Sequence, residues 1–147
     1  EEDQKRQRQS SPGESPGPKD RPEGFPQDYP AFLEKALTSY FQGLPADFDL
    51  PVDLSWCTPF QKKILLAIRE IPCGEVRSYS QVAAAAGHPR AARATGSTAG
   101  LNRTPLVIPC HRVIRQNGKL GGFGGGPEMK KYLLDLEARI KEKTAGT

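Results

Sequence analysis

Apolar side chains are absent before Phe25 and then recur in patterns that change along the chain. From Pro30, the residues Phe32, Leu33, Leu37, Tyr40 and Phe41 fall at helical spacing, and Gly43 closes the element. Phe48 to Leu54 alternates apolar and polar with period two, which predicts an extended edge strand because Pro51 cannot donate to a ladder. The helical period then returns. Thr58, Pro59 and Gln61 form a capping box, and Phe60, Ile64, Leu65, Ile68 and Ile71 make one buried stripe up to Pro72-Cys73-Gly74. Val76 to Tyr79 is short and extended.

Two short helices follow. Ser78 caps the first, with Gln81 three residues on, and Gly87-His88-Pro89 is the turn. The second is expected from about Arg90 to Ala99. Two helices joined by a tight glycine turn have the dimensions of a helix-turn-helix. The second carries small residues (Ala91, Ala92, Ala94, Gly96, Ser97) where a core helix would carry Leu or Ile. Such a face either lets a partner approach closely or packs tightly inside.

The run Leu106-Val107-Ile108 then reads as a buried strand stopped by Pro109, with Cys110, His111 and Arg112 at its end. Asn117-Gly118 marks a tight turn. Residues 121–126 are five glycines and Phe123, with no Lys-Ser/Thr after them, so they are not a phosphate-binding P-loop. Pro127 opens the last helix. Its expected buried stripe is Met129, Tyr132, Leu133, Leu136 and Ile140, with Glu137 beside the stripe and a lysine-rich end that frays.

Composition adds charge asymmetry to this pattern. Residues 1–50 hold six Lys/Arg against ten Asp/Glu, a net −4, whereas residues 51–147 hold fifteen against seven, a net +8. The second part is basic, as for a protein that meets a polyanion or one with a merely basic surface. Residues 1–29 are too polar to offset their ordering entropy and read as a disordered tail or linker. No apolar run is long enough for a bilayer span or a signal peptide, so no membrane association and no secretion are expected. The three cysteines do not make a disulfide framework, and no Cys or His pair has the spacing of a structural zinc site. No metal and no cofactor are expected.

A cysteine attacks as its thiolate and needs a neighbour that takes or offsets the proton. His111 is adjacent to Cys110, Arg112 adds a positive field, and Glu137 can orient His111 from the last helix. That is a Cys/His/Glu set with the logic of a triad. The competing reading is an inert cysteine packed in a core.

The run Pro109-Cys110-His111-Arg112-Val113 resembles the active-site signature of the O6-alkylguanine-DNA alkyltransferases, also called methylated-DNA–protein-cysteine methyltransferases. The likeness extends, in order and spacing, to Thr58-Pro59-Phe60-Gln61, Ile71-Pro72, Gly74-Glu75, Ser78-Tyr79, Ala91-Ala92-Arg93-Ala94, Gly96, Asn102, Gly121 and Gly124-Gly125-Gly126. It covers roughly residues 30–141.

This resemblance implies an α+β, mainly helical fold. A carboxy-terminal alkyltransferase domain (residues 55–141) would hold the helix-turn-helix, winged-helix-like, and a short strand pair. A remnant of an α/β amino-terminal domain (30–54) would precede it, and 142–147 would fray. The implied activity is single-turnover transfer of an alkyl group from O6 of guanine, and from O4 of thymine, in duplex DNA to Cys110. The protein would act as a monomer, in the cytoplasm of a prokaryote or the nucleus of a eukaryote. His111, through a water, and Glu137 would make Cys110 a thiolate, and Tyr79 would donate to guanine N3. Arg93 would enter the base stack in the minor groove. Ala91, Ala92, Ala94, Thr95, Gly96, Ser97 and Ser80 would meet the DNA. Asn102 would hold the turn before the cysteine. Carbonyls of Cys110 and Val113, with Arg112, Phe123 and Gly124, would surround the base. Two departures stand out: most of the amino-terminal domain is not recognisable, and Phe123 stands where Tyr is common.

Overall fold

Two capping boxes set where the central helices begin. A computed structural model describes residues 29–145. The expected tail therefore lies outside the described residues, except for Tyr29. Helix α1 is Tyr29–Phe41 and α2 is Pro59–Arg69. At the start of α2 the Gln61 amide donates to Thr58 Oγ1 (3.2 Å) and the Thr58 amide donates to Gln61 Oε1 (3.0 Å). The same reciprocal pair joins Ser78 and Gln81, at 3.1 and 2.8 Å, and opens α3, Tyr79–Ala85. Each box satisfies two backbone amide donors that a bare helix end would leave open.

Strand β1 (Arg77–Ser78) runs directly into α3, and α4 is Ala92–Ala99. The turn between α3 and α4 uses Gly87 at φ +86, and the ring of His88 sits edge-on to Phe60, 5.0 Å between centroids. The helix-turn-helix is thus tied to α2. Strand β2 (Val113–Ile114) pairs in parallel with β1, Arg77 opposite Val113 and Ser78 opposite Ile114. Helix α5 is Pro127–Ala145. Among the described residues no helix is long and apolar enough to cross a membrane.

The apolar side chains form two clusters. Ile64, Leu65 and Ile68 of α2 pack with Leu54, Ile71, Val82, Ile108 and Val113. Tyr40 of α1 packs with Leu133, Leu136 and Ile140 of α5. The first cluster carries the helix-turn-helix and the segment of the cysteine. The second fastens α5 behind that segment.

Several expectations change. Residues 106–108 are not a strand: Leu106 adopts φ +72, and the Ile108 amide donates to Thr104 O (2.9 Å), so the run coils into a turn. Val107 and Ile108 are buried, Ile108 within the first cluster, and the strand follows the cysteine instead of leading to it. Residues 48–54 form no ladder, although Leu50 and Leu54 are buried as the alternation requires. In α1 the buried positions are Ala36 and Tyr40, while Phe32 and Phe41 are exposed. Helix α4 starts at Ala92 with no side-chain cap, which leaves Arg90 outside it. In α5, Met129 and Tyr132 are exposed and Lys130 and Glu137 are fully buried. That helix runs on through residues 142–145, where fraying was expected.

Candidate active site

Pro109 ends the turn that carries Val107 and Ile108, and Cys110–Arg112 form a short 3-10 turn before β2. The Cys110 side chain is half-buried and lines a cavity of about 540 Å³. Tyr79, Gly96, Asn102, Arg115, Phe123 and Gly124 line it too. The β1–β2 pairing explains why they meet: it sets the first residue of α3 beside the chain just after the cysteine. Gly96 lies against the Tyr79 ring, at a distance where an added Cβ would make ordinary contact, 3.8 Å. Gly121, at φ +76, lets the glycine loop approach the Tyr79 hydroxyl, which a Cβ would meet at 3.1 Å.

Asn102 holds the turn before the cysteine. Its Nδ2 donates to Ile108 O (2.7 Å), and its Oδ1 accepts from the amide of Thr104 (3.0 Å) and from the Thr104 hydroxyl (3.3 Å). Burial, followed by the proximity of Cys110, pushes the Tyr79 phenol up, with Arg115 acting in the opposite sense. Tyr79 therefore keeps its proton and remains a donor.

Behind the cysteine, His111 Nε2 lies 2.5 Å from Oε2 of Glu137. The Glu137 carboxylate also accepts from Arg112 Nε (2.7 Å), Arg112 Nη2 (3.1 Å) and Tyr40 Oη (2.6 Å). Burial alone would raise its pKa, but the hydrogen bonds and charges of His111 and Arg112 outweigh that and hold it at about 2. An ionised carboxylate can only accept, so His111 Nε2 must carry the hydrogen. The other ring nitrogen, Nδ1, is then the basic one. It is buried and has no hydrogen-bond partner among the described residues.

Some expected residues sit elsewhere. Arg112 does not face the cavity of Cys110. It is buried, holding Glu137 on one side and Ile71 O (2.5 Å) on the other. Val113 is wholly buried and its carbonyl already accepts from Lys130 Nζ at 2.6 Å. The Cys110 carbonyl likewise accepts from the Val113 amide. Thr95 is buried, with its hydroxyl donating to Ala91 O (2.8 Å), so it faces inward and not toward a nucleic acid. Arg93, Ala94 and Ser97 are exposed on α4, while Ala91, Ala92 and Ser80 are half-buried. The Ser80 hydroxyl lies within 3.4 Å of Gln116 Oε1. Among the described residues, no three His, Cys, Asp or Glu side chains gather as a metal site would need.

Two residues were missed in the sequence. Lys130 is fully buried, bonds Val113 O and Gly122 O (3.3 Å), and lies 5.9 Å from the centre of the Tyr79 ring. Burial lowers its pKa to about 8, against the opposing pull of Cys110. It lies seven residues before Glu137, on the same helix face, which is the signal that could have found it. Tyr40 was placed in the apolar stripe of α1, and a buried Tyr needs a partner for its hydroxyl.

A family model described as 6-O-methylguanine DNA methyltransferase, DNA binding domain, matches residues 59–139. The methylated-DNA–protein-cysteine methyltransferase of Salmonella typhimurium is 46% identical over 111 residues, covering 76% of this chain and 65% of its own length. That of Mycolicibacterium paratuberculosis is 47% identical over 103 residues, covering 70% of this chain and 62% of its own. The solved structure of Mycobacterium tuberculosis OGT in complex with DNA is similar with a TM-score of 0.71 at 43% identity, over 75% of this chain and 68% of that one. The chain thus spans somewhat less than two thirds of these curated relatives. With more than half of its residues matched by the family model, and with Cys110 at the edge of a cavity backed by a locked histidine, the chain belongs to the 6-O-methylguanine DNA methyltransferase family.

Proposed function

We propose that this protein repairs DNA by direct transfer of an alkyl group, methyl in the simplest case, from O6 of guanine to Cys110, with O4 of thymine as a second acceptable position. The observation that carries this reading is the pairing of a half-buried Cys110 at a cavity with a neighbouring His111 whose Nε2 is fixed on Glu137 and whose Nδ1 is free to take a proton. The Cys110 proton passes to Nδ1, through a water. The thiolate attacks the alkyl carbon, the S–C bond forms and the C–O6 bond breaks. The electron pair returns to the guanine ring, whose N3 receives a hydrogen bond or proton from Tyr79. The thioether is stable, so each molecule reacts once, and neither metal nor cofactor takes part.

The base has to leave the duplex to reach the cavity, which costs a few kcal/mol of unstacking. Arg93, exposed on α4, is suited to fill the gap from the minor groove, and the small residues Ala94 and Ser97 beside it allow close approach. The excess of cations after residue 50 favours largely sequence-independent binding to phosphates. The protein acts as a monomer on duplex DNA, in the compartment that holds the genome. The test is intact mass after incubation with duplex DNA containing O6-methylguanine. One methyl group is expected on the peptide containing Cys110, and none in Cys110→Ala. DNA binding without any mass gain in the unmodified protein would make it a binder of alkylated bases instead.

A further inference from the structure

Glu137 is reached from an unexpected quarter. The Tyr40 hydroxyl, on α1, donates to Oε2 at 2.6 Å, and His111 Nε2 meets the same oxygen at 2.5 Å. Arg112 spans both oxygens, with Nε on Oε1 at 2.7 Å and Nη2 on Oε2 at 3.1 Å, and the Gly74 amide lies 3.5 Å from Oε1. We propose that Tyr40 is a positioning residue of the relay: by sharing Oε2 with His111 it sets how strongly the carboxylate draws on the imidazole, and through the imidazole how readily Cys110 gives up its proton. This rests on Cys110 being the nucleophile.

Packing alone does not account for a tyrosine here. The ring is 2% exposed and is held edge-on by Phe41 and Phe48, with centroids 5.2 and 5.6 Å away. A phenylalanine would make those contacts equally well. What the hydroxyl adds is one neutral donor on a buried anion. Burial and the Glu137 charge push the phenol well above its ordinary range, so it is always a donor there and never an anion. Tyr40 and His111 are the two neutral donors on Oε2, beside the longer contact from Arg112 Nη2; each takes part of its charge, and removing one leaves more for the others. Without the Tyr40 hydroxyl, Oε2 bears harder on His111. The imidazole becomes a stronger base, and Cys110 is activated at lower pH.

The other groups that face this network stay in place. Arg112 and Cys73 face Glu137 from the 3-10 turn and from the loop after α2, while Tyr79 and Lys130 face Cys110 from α3 and α5. Arg115 faces Tyr79.

The experiment is the rate of Cys110 alkylation by iodoacetamide across pH, followed on the peptide that contains Cys110, in the full chain. Tyr40→Phe is expected to move the midpoint down by about half a pH unit, given a hydrogen bond of ordinary net strength. Site-specific 3-fluorotyrosine at position 40 keeps the shape and is a stronger donor, so it is expected to move the midpoint up. This second variant keeps the test open if Tyr40→Phe folds poorly. Unchanged midpoints in both, with only a lower melting temperature, would reduce Tyr40 to packing and overturn the proposal. Displacement of both in one direction would overturn it as well. A protein that shows the opposed displacements but takes no methyl from DNA would refute the repair function while leaving the role of Tyr40 intact.

Discussion

His111 and Glu137 meet at 2.5 Å with both side chains sealed from solvent, 1% and 0% exposed. Such a contact ties the site to the stability of the whole domain. Glu137 titrates at about 2 in the folded protein, and an ordinary glutamate near 4.5. Between those values the unfolded chain binds the proton that the folded one refuses, so stability falls as pH falls. The contribution, on the order of 3 kcal/mol, is fully present above pH 4.5 and lost by about pH 2. Glu137→Gln should flatten that acid limb in denaturant titrations. At neutral pH it should cost roughly 3–5 kcal/mol, because Arg112 is left as a buried charge without its counter-ion. A Glu137→Gln protein as stable as the parent at pH 7 would contradict the arrangement.

Lys130 adds a slope of the same sign at the alkaline end. Its folded value is about 8 and its ordinary value 10.5. Between the two, the unfolded chain holds the extra proton, so stability should rise with pH, by up to about 3 kcal/mol. Lys130→Met should remove the rise. Denaturant midpoints measured from pH 7.5 to 10.5 decide it, and parallel curves for parent and variant would be the contrary result.

Arg93 should matter only when there is a base stack to enter. Arg93→Ala is expected to slow repair of duplex substrate by about tenfold or more, given an unstacking cost of a few kcal/mol. Reaction with free O6-benzylguanine should be nearly unchanged. Equal losses on the two substrates would remove the finger role.

How far the chain could be read depended on how local each cause is. The starts of α2 and α3 were legible because a capping box is complete within four residues, as Thr58 with Gln61 and Ser78 with Gln81 show. Cys110 and His111 were legible because the run around them is distinctive. The supposed strand at Leu106–Ile108 failed for a known reason: a short buried apolar run looks the same whether it coils or extends. Leu106 at φ +72 is a conformation leucine rarely adopts, so nothing in its identity announced it. The direction of Arg112 was misjudged because its partner, Glu137, is 25 residues away. Tyr40 is 97 residues from that same carboxylate, a separation over which no periodicity speaks.

That separation has a consequence for how the molecule comes into being. Ribosomal synthesis releases α1 first, then the segment of Cys110, and only afterwards the carboxylate of α5. A growing chain that already displays the cysteine lacks the group that orients His111, and Tyr40 waits without an acceptor. The thiol is therefore armed late, when α5 docks between α1 and the 3-10 turn. Under the proposed function, in which Cys110 reacts once, this order would guard the thiol against being spent on stray electrophiles before the fold that directs it is complete.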